Sequence, residues 1–157
     1  MNYSVSISGK MYSLLRDHLF PGDGKEAVAI ALCGRHEYKG AAKLTFHKLI
    51  PIPHEQCQVR KPDFIQWSTE ILAPHLIQAS KKGWAVVKIH SHPTGYPDFS
   101  QTDDNSDIDL FNSVYGWMDN EESHASLVML PGGEMFGRII TPALEFVPID
   151  KISLVGH

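Results

Sequence analysis

The chain has 157 residues, of which 43% are hydrophobic and 20% charged, so we expect a single globular domain, residues 1–157, with a sizeable core. A formal net charge of −4 and the lack of a basic stripe argue against nucleic acid as a partner. No apolar run is long enough for a membrane span, no signal-peptide core is visible, and Cys33 and Cys57 do not make a disulfide framework, so we expect a reduced cytoplasmic protein.

The first half of the chain contains one predicted helix among predicted strands. Weak alternation predicts a strand over residues 2–7, and apolar residues at helical spacing predict a helix over residues 9–20. Residues 26–34 (EAVAIALCG) are apolar on both faces and bounded by glycines, which is typical of a buried strand. Residues 41–53 begin with alternation and end at prolines, as a strand near a sheet edge would, and the intervening RHEYKG predicts a hairpin turn.

The second half of the chain mixes helical and strand patterns. Residues 62–83 have apolar and aromatic side chains at steps of three and four, which predicts a long helix that Pro74 kinks or breaks. Residues 84–92 (WAVVKIHSH) form the strongest predicted strand, and acidic residues near Thr102 predict the start of another helix. Three further predicted strands cover 126–130, 135–140 and 145–149. The mixture predicts an α plus β fold in which neighbouring strands are largely antiparallel.

The stretch HSHPTGYPDFSQTD, directly after the strongest predicted strand, carries the residues with the most specific chemistry. Side chains alternate along a strand, so His90 and His92 point to the same face at its end. Two adjacent imidazoles are natural ligands for a divalent ion, most often zinc, and Asp103 could fold back to supply a third ligand. A catalytic zinc ion keeps its fourth position for water, so the spacing favours a catalytic zinc site.

The same residues also allow a structural interpretation. Ser100 or Thr102 could cap the following helix by accepting a backbone N–H, and Ser-x-x-Asp resembles a capping box. Asp104 could replace Asp103 as the ligand if the loop is shifted by one residue. The other acidic residues of this helix start, Asp107 among them, are expected to stabilise the helix dipole.

His90-Ser91-His92, seven residues, Ser100, two residues and Asp103 reproduce the pattern His-x-His-x7-Ser-x-x-Asp. In this the sequence resembles the JAMM metalloproteases, also called the JAB or MPN domain family. The proline after the second histidine also matches, and the order of predicted elements is similar to that family across nearly the whole chain. The resemblance implies a cytidine-deaminase-like α/β fold of the bacterial stand-alone type, a mixed and mostly antiparallel sheet flanked by helices.

The family also uses an upstream glutamate, and Glu26 is the best match because it leads a predicted buried strand. A carboxyl at the mouth of an apolar strand tends to have a raised pKa, which suits a general base. The residues after Glu26 depart from the usual family run, so three other glutamates stay open as alternatives. Glu37 lies in a predicted turn, Glu55 in a loop and Glu70 in a predicted helix, and all three are more easily interpreted as solvated charges.

The implied reaction is metal-assisted hydrolysis with one zinc ion held by His90, His92 and Asp103. Glu26 would accept a proton from the attacking water and pass it to the leaving amine. Ser100 would hydrogen-bond the developing oxyanion, and loss of such a donor typically raises the barrier by about 2.7–4 kcal/mol.

The implied substrate is a peptide or isopeptide bond after the flexible C-terminal tail of a ubiquitin-like protein. Bacterial relatives of this type resemble partners of activating (E1-like) and conjugating (E2-like) enzymes, in pathways of which some are antiviral. Two alternatives stay open, release of an amino acid from the C-terminus of a sulfur-carrier protein and a non-catalytic scaffold role. Substrate contacts are expected from the loop Pro51–Pro62 and from the segment Asn105–Glu122.

Overall fold

A computed structural model describes residues 1–118 and 121–156 of the chain. The strands in these residues are β1 (Asn2–Ser8), β2 (Val28–Tyr38), β3 (Ala41–Pro51), β4 (Cys57–Lys61), β5 (Phe64–Trp67), β6 (Ala85–Ser91), β7 (His124–Met129), β8 (Met135–Ile140), β9 (Phe146–Pro148) and β10 (Lys151–Val155). The α-helices are α1 (Gly9–Leu19), α2 (Ala73–Lys82) and α3 (Gln101–Met118). Short 3₁₀ helices cover His54–Gln56 and Thr69–Leu72.

One large mixed sheet dominates the described residues, and β4 and β5 form a separate two-stranded sheet. The strand order in the large sheet is β10-β1-β3-β2-β6-β7-β8-β9. The β2–β3, β2–β6, β7–β8 and β8–β9 pairs are antiparallel, while the β1–β10, β1–β3 and β6–β7 pairs are parallel. The predicted α/β class with a mostly antiparallel mixed sheet is therefore confirmed.

Alternation along the central strands divides the apolar core between the two faces of the large sheet. The small side chains of β2 and of the residue before it face α1, and they are Ala27, Ala29, Ala31 and Cys33. The larger side chains of β2 face α2 and α3, and they are Val28, Ile30 and Leu32. Because both sets are fully buried, the prediction of a strand that is apolar on both faces is confirmed.

The helices begin and end where the sequence supplies the chemistry for it. The Ser8 hydroxyl accepts a hydrogen bond from the Met11 N–H at 3.2 Å, which caps α1. Gly83 ends α2 in the left-handed conformation with φ of 68°, after a pair of lysines. None of the helices in residues 1–118 and 121–156 combines the length and apolarity that a membrane crossing requires.

The predicted long helix over residues 62–83 is wrong, because this segment contains β5, a 3₁₀ helix and α2 in succession. The aromatic residues that suggested helical spacing belong to β5, where Ile65 is buried between less buried neighbours. Ser68 accepts a hydrogen bond from the Glu70 N–H at 3.4 Å and so starts the 3₁₀ helix. Pro74 lies in the first turn of α2, where a backbone N–H would have no partner within the helix. The missing N–H of proline therefore costs nothing there, and Pro74 marks a helix start.

Strand boundaries and the last strands also differ from the predictions. The β2–β3 connection is tighter than RHEYKG, because β2 extends to Tyr38 and the turn needs only Lys39 (φ 47°) and Gly40 (φ 80°). The predicted strand 145–149 corresponds to β9, but β10 after it was not predicted. β10 pairs in parallel with β1 from the other end of the chain, a contact that no local pattern reports.

Candidate metal centre

The strand β6 carries both histidines of the motif to the face of the sheet that α3 covers. All residues of β6 are buried, and His90 is its penultimate residue. His92 follows the strand, and its N–H donates to the Met129 carbonyl at 3.0 Å, so the chain stays extended next to β7. His90 and His92 are thus presented side by side by backbone that is hydrogen-bonded on the sheet.

Ser100 and Asp103 hold each other at the start of α3. The Ser100 N–H donates to the Asp103 carboxylate at 2.8 Å, and the Asp103 N–H donates to the Ser100 hydroxyl at 3.1 Å. This reciprocal pair has the form of a capping box, so the predicted helix cap at Ser-x-x-Asp is confirmed. The cap fixes the Asp103 carboxylate, because the Oδ2 atom that accepts from Ser100 is also the oxygen that faces His92, while Oδ1 faces His90. The Ser100 hydroxyl only accepts in this cap, so its own proton is free to be donated.

The side chains of three candidate ligands converge between the end of β6 and the start of α3. The Nε2 atoms of His90 and His92 lie 3.1 Å apart. His90 Nε2 is 3.0 Å from one Asp103 oxygen, and His92 Nε2 is 2.9 Å from the other. Lone pairs this close need a cation or a proton between them. A tetrahedral ion with metal–ligand bonds of about 2.0–2.1 Å separates its ligand atoms by about 3.3 Å, so the three residues fit a zinc-sized metal ion.

The hydrogen bond at the far side of the His92 ring favours the tautomer that metal binding needs. The Nδ1–H of His92 donates to the Tyr96 carbonyl at 2.8 Å, which leaves the Nε2 lone pair directed at the cluster. The Nδ1 atom of His90 is buried and has no hydrogen-bond partner within residues 1–118 and 121–156. His90, His92 and Asp103 are all buried, and their ligand atoms lie within 4.8 Å of one another, so the cluster could hold a metal ion.

Burial and the Asp103 carboxylate have opposite effects on the pKa values of the two histidines. Burial lowers the pKa of His90, although the hydrogen bond with Asp103 partly offsets this effect. Burial would also lower the pKa of His92, but its bonds with Asp103 and the Tyr96 carbonyl together raise it. Burial would raise the pKa of Asp103, yet the hydrogen bonds from both histidines outweigh it and hold that pKa well below its usual range. Asp103 is therefore ionised at neutral pH.

Glu26 lies just before β2 and next to the cluster. Val28 pairs with His90, so continuing this antiparallel register by two residues puts Glu26 opposite His92. The backbone of Glu26 is anchored on the β4 side, where its N–H donates to Lys61 and its carbonyl accepts from Arg60, both at 2.8 Å. Burial, with the nearby Asp103 charge as the next cause, raises the pKa of Glu26 to about 8.

Ser91, the residue between the two histidines, binds the backbone of Ala27, the residue after Glu26. Its hydroxyl accepts from the Ala27 N–H at 2.9 Å, and its N–H donates to the Ala27 carbonyl at 3.1 Å. The motif strand therefore positions the histidines and the segment that carries Glu26 at the same time.

A cleft of about 550 Å³ opens at the cluster. Glu26, His90 and Asp103 lie at its base together with Lys88. One wall is a stripe of α3, made of Thr102, Asn105, Ser106, Asp109, Leu110 and Ser113, and the other wall is β5 with Thr69. The first half of the predicted substrate segment 105–122 therefore lines the cleft. Its positions 119 and 120 lie outside the described residues. The other wall comes from residues just after the predicted loop 51–62.

The alternative glutamates and the alternative aspartate do not belong to the cluster. Glu37, Glu55 and Glu70 are exposed, on β2 and on the two 3₁₀ helices respectively. Asp104 does not face the histidines, because its carboxylate binds the Arg138 guanidinium at 2.7 Å. Asp103 is therefore the carboxylate that α3 brings to His90 and His92.

The expected helix-dipole role of Asp107 is wrong, because this residue is fully buried and paired with two cations. Its oxygens lie 2.8 Å from the Lys88 ammonium and 2.8 Å from the Arg138 guanidinium. Burial would raise the pKa of Asp107, but the two cations outweigh it and lower that pKa. The sequence contains one signal of this ion pair, because Lys88 stands within the apolar predicted strand VVKIH. A buried lysine needs an anionic partner.

Fold and cluster together define a class, an α/β protein with a candidate His-His-Asp metal centre beside a buried carboxyl. Residues 8–138 match the family described as prokaryotic homologs of the JAB domain, and the chain belongs to this family. The resemblance drawn from the motif is thereby confirmed.

Solved structures agree on the fold. The chain is similar to protein DSY2949 from Desulfitobacterium hafniense, known from a solution structure, with a TM-score of 0.62 and 15% identity. That similarity covers 98% of this chain and 94% of the other. No curated protein matches the sequence.

Proposed function

We propose that the chain is a zinc-dependent peptidase that cleaves a peptide or isopeptide bond after the C-terminal tail of a ubiquitin-like protein. The observation that supports this most is the convergence of ligand atoms of His90, His92 and Asp103 within 4.8 Å. Two of these residues, His90 and Asp103, line a cleft that Glu26 also lines. JAB-family membership adds to it, because hydrolysis is frequent in this family.

In this proposal each side chain has one task. His90, His92 and Asp103 hold the zinc ion, which when bound supplies a Lewis acid that polarises a carbonyl and acidifies water. Glu26 takes the proton of the attacking water and returns it to the leaving amine. Burial is the largest cause of the raised pKa of Glu26, and a raised pKa suits this role because a base near the working pH both accepts and releases the proton. The Ser100 hydroxyl donates to the developing oxyanion, since its own proton is not used in the helix cap.

The shape of the cleft favours an extended substrate. Within the described residues β5 pairs with β4 alone, so its second edge offers unpaired N–H and C=O groups along one wall. An extended tail can add to such an edge through main-chain hydrogen bonds. The backbone supplies affinity in this mode without demanding large side chains, which agrees with a Gly-Gly end at the scissile bond.

We place the activity in a bacterial conjugation pathway with E1-like and E2-like enzymes, of the kind that includes antiviral systems. Zinc-loaded protein is incubated with three fusions, a ubiquitin-like protein extended by a peptide, the same protein joined to a lysine side chain, and a sulfur-carrier protein bearing a C-terminal amino acid. Mass spectrometry identifies the products. We expect cleavage of the ubiquitin-like fusions after Gly-Gly.

The matched variant Glu26→Gln should lose cleavage by about 100-fold or more while it still binds zinc, because only the proton acceptor is removed. Cleavage of the sulfur-carrier fusion alone would transfer the activity to that substrate class. No cleavage of any fusion by zinc-loaded protein would favour a scaffold role instead.

A further inference from the structure

A row of three side chains crosses the sheet directly behind the metal cluster. Lys88 on β6 pairs in register with Ser126 on β7, and Ser126 pairs with Arg138 on β8. Lys88 precedes His90 by two residues, so the row lies on the same face as the histidines. All three residues are buried beneath α3. The two cations are two strand spacings apart, roughly 10 Å at the backbone, with a small serine between them.

Asp107 of α3 binds both of these cations. One oxygen lies 2.8 Å from the Lys88 ammonium and the other lies 2.8 Å from the Arg138 guanidinium. Asp107 has 0% exposure, so solvent does not weaken these contacts. Because Asp107 follows Asp103 by four residues, the two carboxylates lie on one face of the helix, one turn apart.

The Arg138 guanidinium contacts α3 on both sides of its first turn and the loop that precedes this helix. One of its nitrogens binds Asp104 at 2.7 Å, and its central carbon Cζ lies 3.7 Å from the ring centroids of both Phe99 and Phe146. Phe99 belongs to the loop between His92 and α3, directly before Ser100. The guanidinium therefore links the strand β8 to the loop, to the first turn of α3 and, through Asp107, to Lys88.

We propose that Arg138 is a positioning residue for the metal centre, which acts through Asp104, Asp107 and Phe99 to hold Asp103 against His90 and His92. The inference rests on the proposed zinc function and adds a residue that lies outside the motif. The helix that supplies the carboxylate ligand is tied to β6 by Lys88 and to β8 by Arg138, on either side of Ser126. Without Arg138, α3 keeps its contact with Lys88 but can rotate about it.

The sign of the effect on zinc affinity separates positioning from simple electrostatics. Removing a cation from the surroundings of a divalent ion should strengthen metal binding if only long-range charge matters. Loss of positioning should weaken metal binding, because the carboxylate no longer stays in place. We therefore expect Arg138→Gln to lower zinc affinity by about 10-fold, the lower end of the range for residues that orient metal ligands.

Zinc affinity is measured by competition with a chelator of known affinity, using metal-stripped protein of residues 1–157 without substrate. Hydrogen exchange of the Asp103 and Asp104 amides in the metal-free protein reports the position of α3 directly, and it should become faster in Arg138→Gln. Arg138→Lys keeps one charge beside Asp107 and should fold even where the glutamine variant does not. It should still bind zinc more weakly than the native chain, because an ammonium cannot bridge Asp104 and Asp107 in the plane of a guanidinium.

The matched control is Arg35→Gln, which removes an arginine ion-paired with Glu122 at 2.7 Å. Val28 of β2 pairs with His90, and Arg35 lies seven residues further along the same strand. Arg35 is therefore distant from the cluster. This variant should lower stability and leave zinc affinity unchanged.

Native or tighter zinc binding in the Arg138 variants would overturn the proposal. An equal loss of affinity in Arg35→Gln would also overturn it, since the effect would then follow global stability. Because no substrate is present, neither result depends on whether the chain cleaves ubiquitin-like fusions.

Discussion

Glu26 carries a carboxyl whose ionisation is opposed by burial and by the neighbouring Asp103 charge. Its pKa is about 8 in the folded chain against a reference value of 4.5, so the folded state binds more protons than the unfolded state between these values. The contribution of Glu26 to stability is therefore lost as the pH rises through this window. We expect Glu26→Gln to raise the free energy of unfolding of the metal-free protein by roughly 1–3 kcal/mol at pH 7.5.

Denaturant unfolding at pH 4 and pH 7.5 tests this expectation. The gain should vanish near pH 4, where Glu26 is protonated in both states. Glu70→Gln is the matched control, because Glu70 is exposed and the same change should leave stability nearly constant. A pH-independent effect of Glu26→Gln would show that the carboxyl is not shifted as described.

The residues of the candidate centre differ in how far the sequence alone could predict them. His90, His92, Ser100 and Asp103 form a local pattern with fixed spacing, and their proximity in the structure agrees with it. Glu26 is distant in sequence and was placed by its position before a buried strand. Arg138 could not be predicted, because its role depends on the register of β6, β7 and β8 and on the burial of Asp107.

At the scale of elements, the segment before β6 shows how a local pattern can mislead. Side chains at steps of three and four suggested one long helix, but Pro74 starts a shorter helix, α2. A proline in the first helical turn removes no intrahelical hydrogen bond. We therefore expect Pro74→Ala to change the free energy of unfolding by less than about 1 kcal/mol.

Ile77 provides the comparison for this prediction, because it lies inside α2 and is 46% exposed, so little packing is lost with its side chain. Ile77→Pro should cost about 3 kcal/mol or more, since it removes a helix hydrogen bond and clashes with the preceding turn. Denaturant unfolding monitored by circular dichroism measures both variants. A large loss from Pro74→Ala would mean that the proline does more than begin the helix.

The strands that escaped prediction are those whose pairing is not local or whose segment is short. β10 is mostly exposed and pairs with β1 from the opposite end of the chain. β4 has five residues, none fully buried, and lies in a segment that the prolines marked as a loop. The central strands β2 and β6 were predictable because short, mostly apolar runs are typical of strands that are buried on both faces.

At the scale of the whole molecule, we expect the fold to form without metal, because His90, His92 and Asp103 lie outside both apolar clusters of the core. Separate apolar clusters cover the two faces of the large sheet, and the ligands are additions to the end of β6 and the start of α3. The chain therefore resembles proteins whose metal acts in a preformed site, in contrast to small domains that fold only with zinc. Metal-stripped protein should keep the circular dichroism spectrum of the zinc-loaded protein.

Zinc should nevertheless stabilise the folded chain, because the three ligands converge only in the native state. Free zinc at 100 times its dissociation constant adds about 2.7 kcal/mol, which for a chain of this length corresponds to a rise in Tm of roughly 5–10 °C. Magnesium at the same concentration should give no rise, because imidazole ligands suit zinc and not magnesium. Differential scanning calorimetry of metal-stripped protein measures both, with His90→Ala as the control that should lose the response. An equal rise in His90→Ala would place zinc at another site, and no rise in the native chain would contradict a metal centre built from His90, His92 and Asp103.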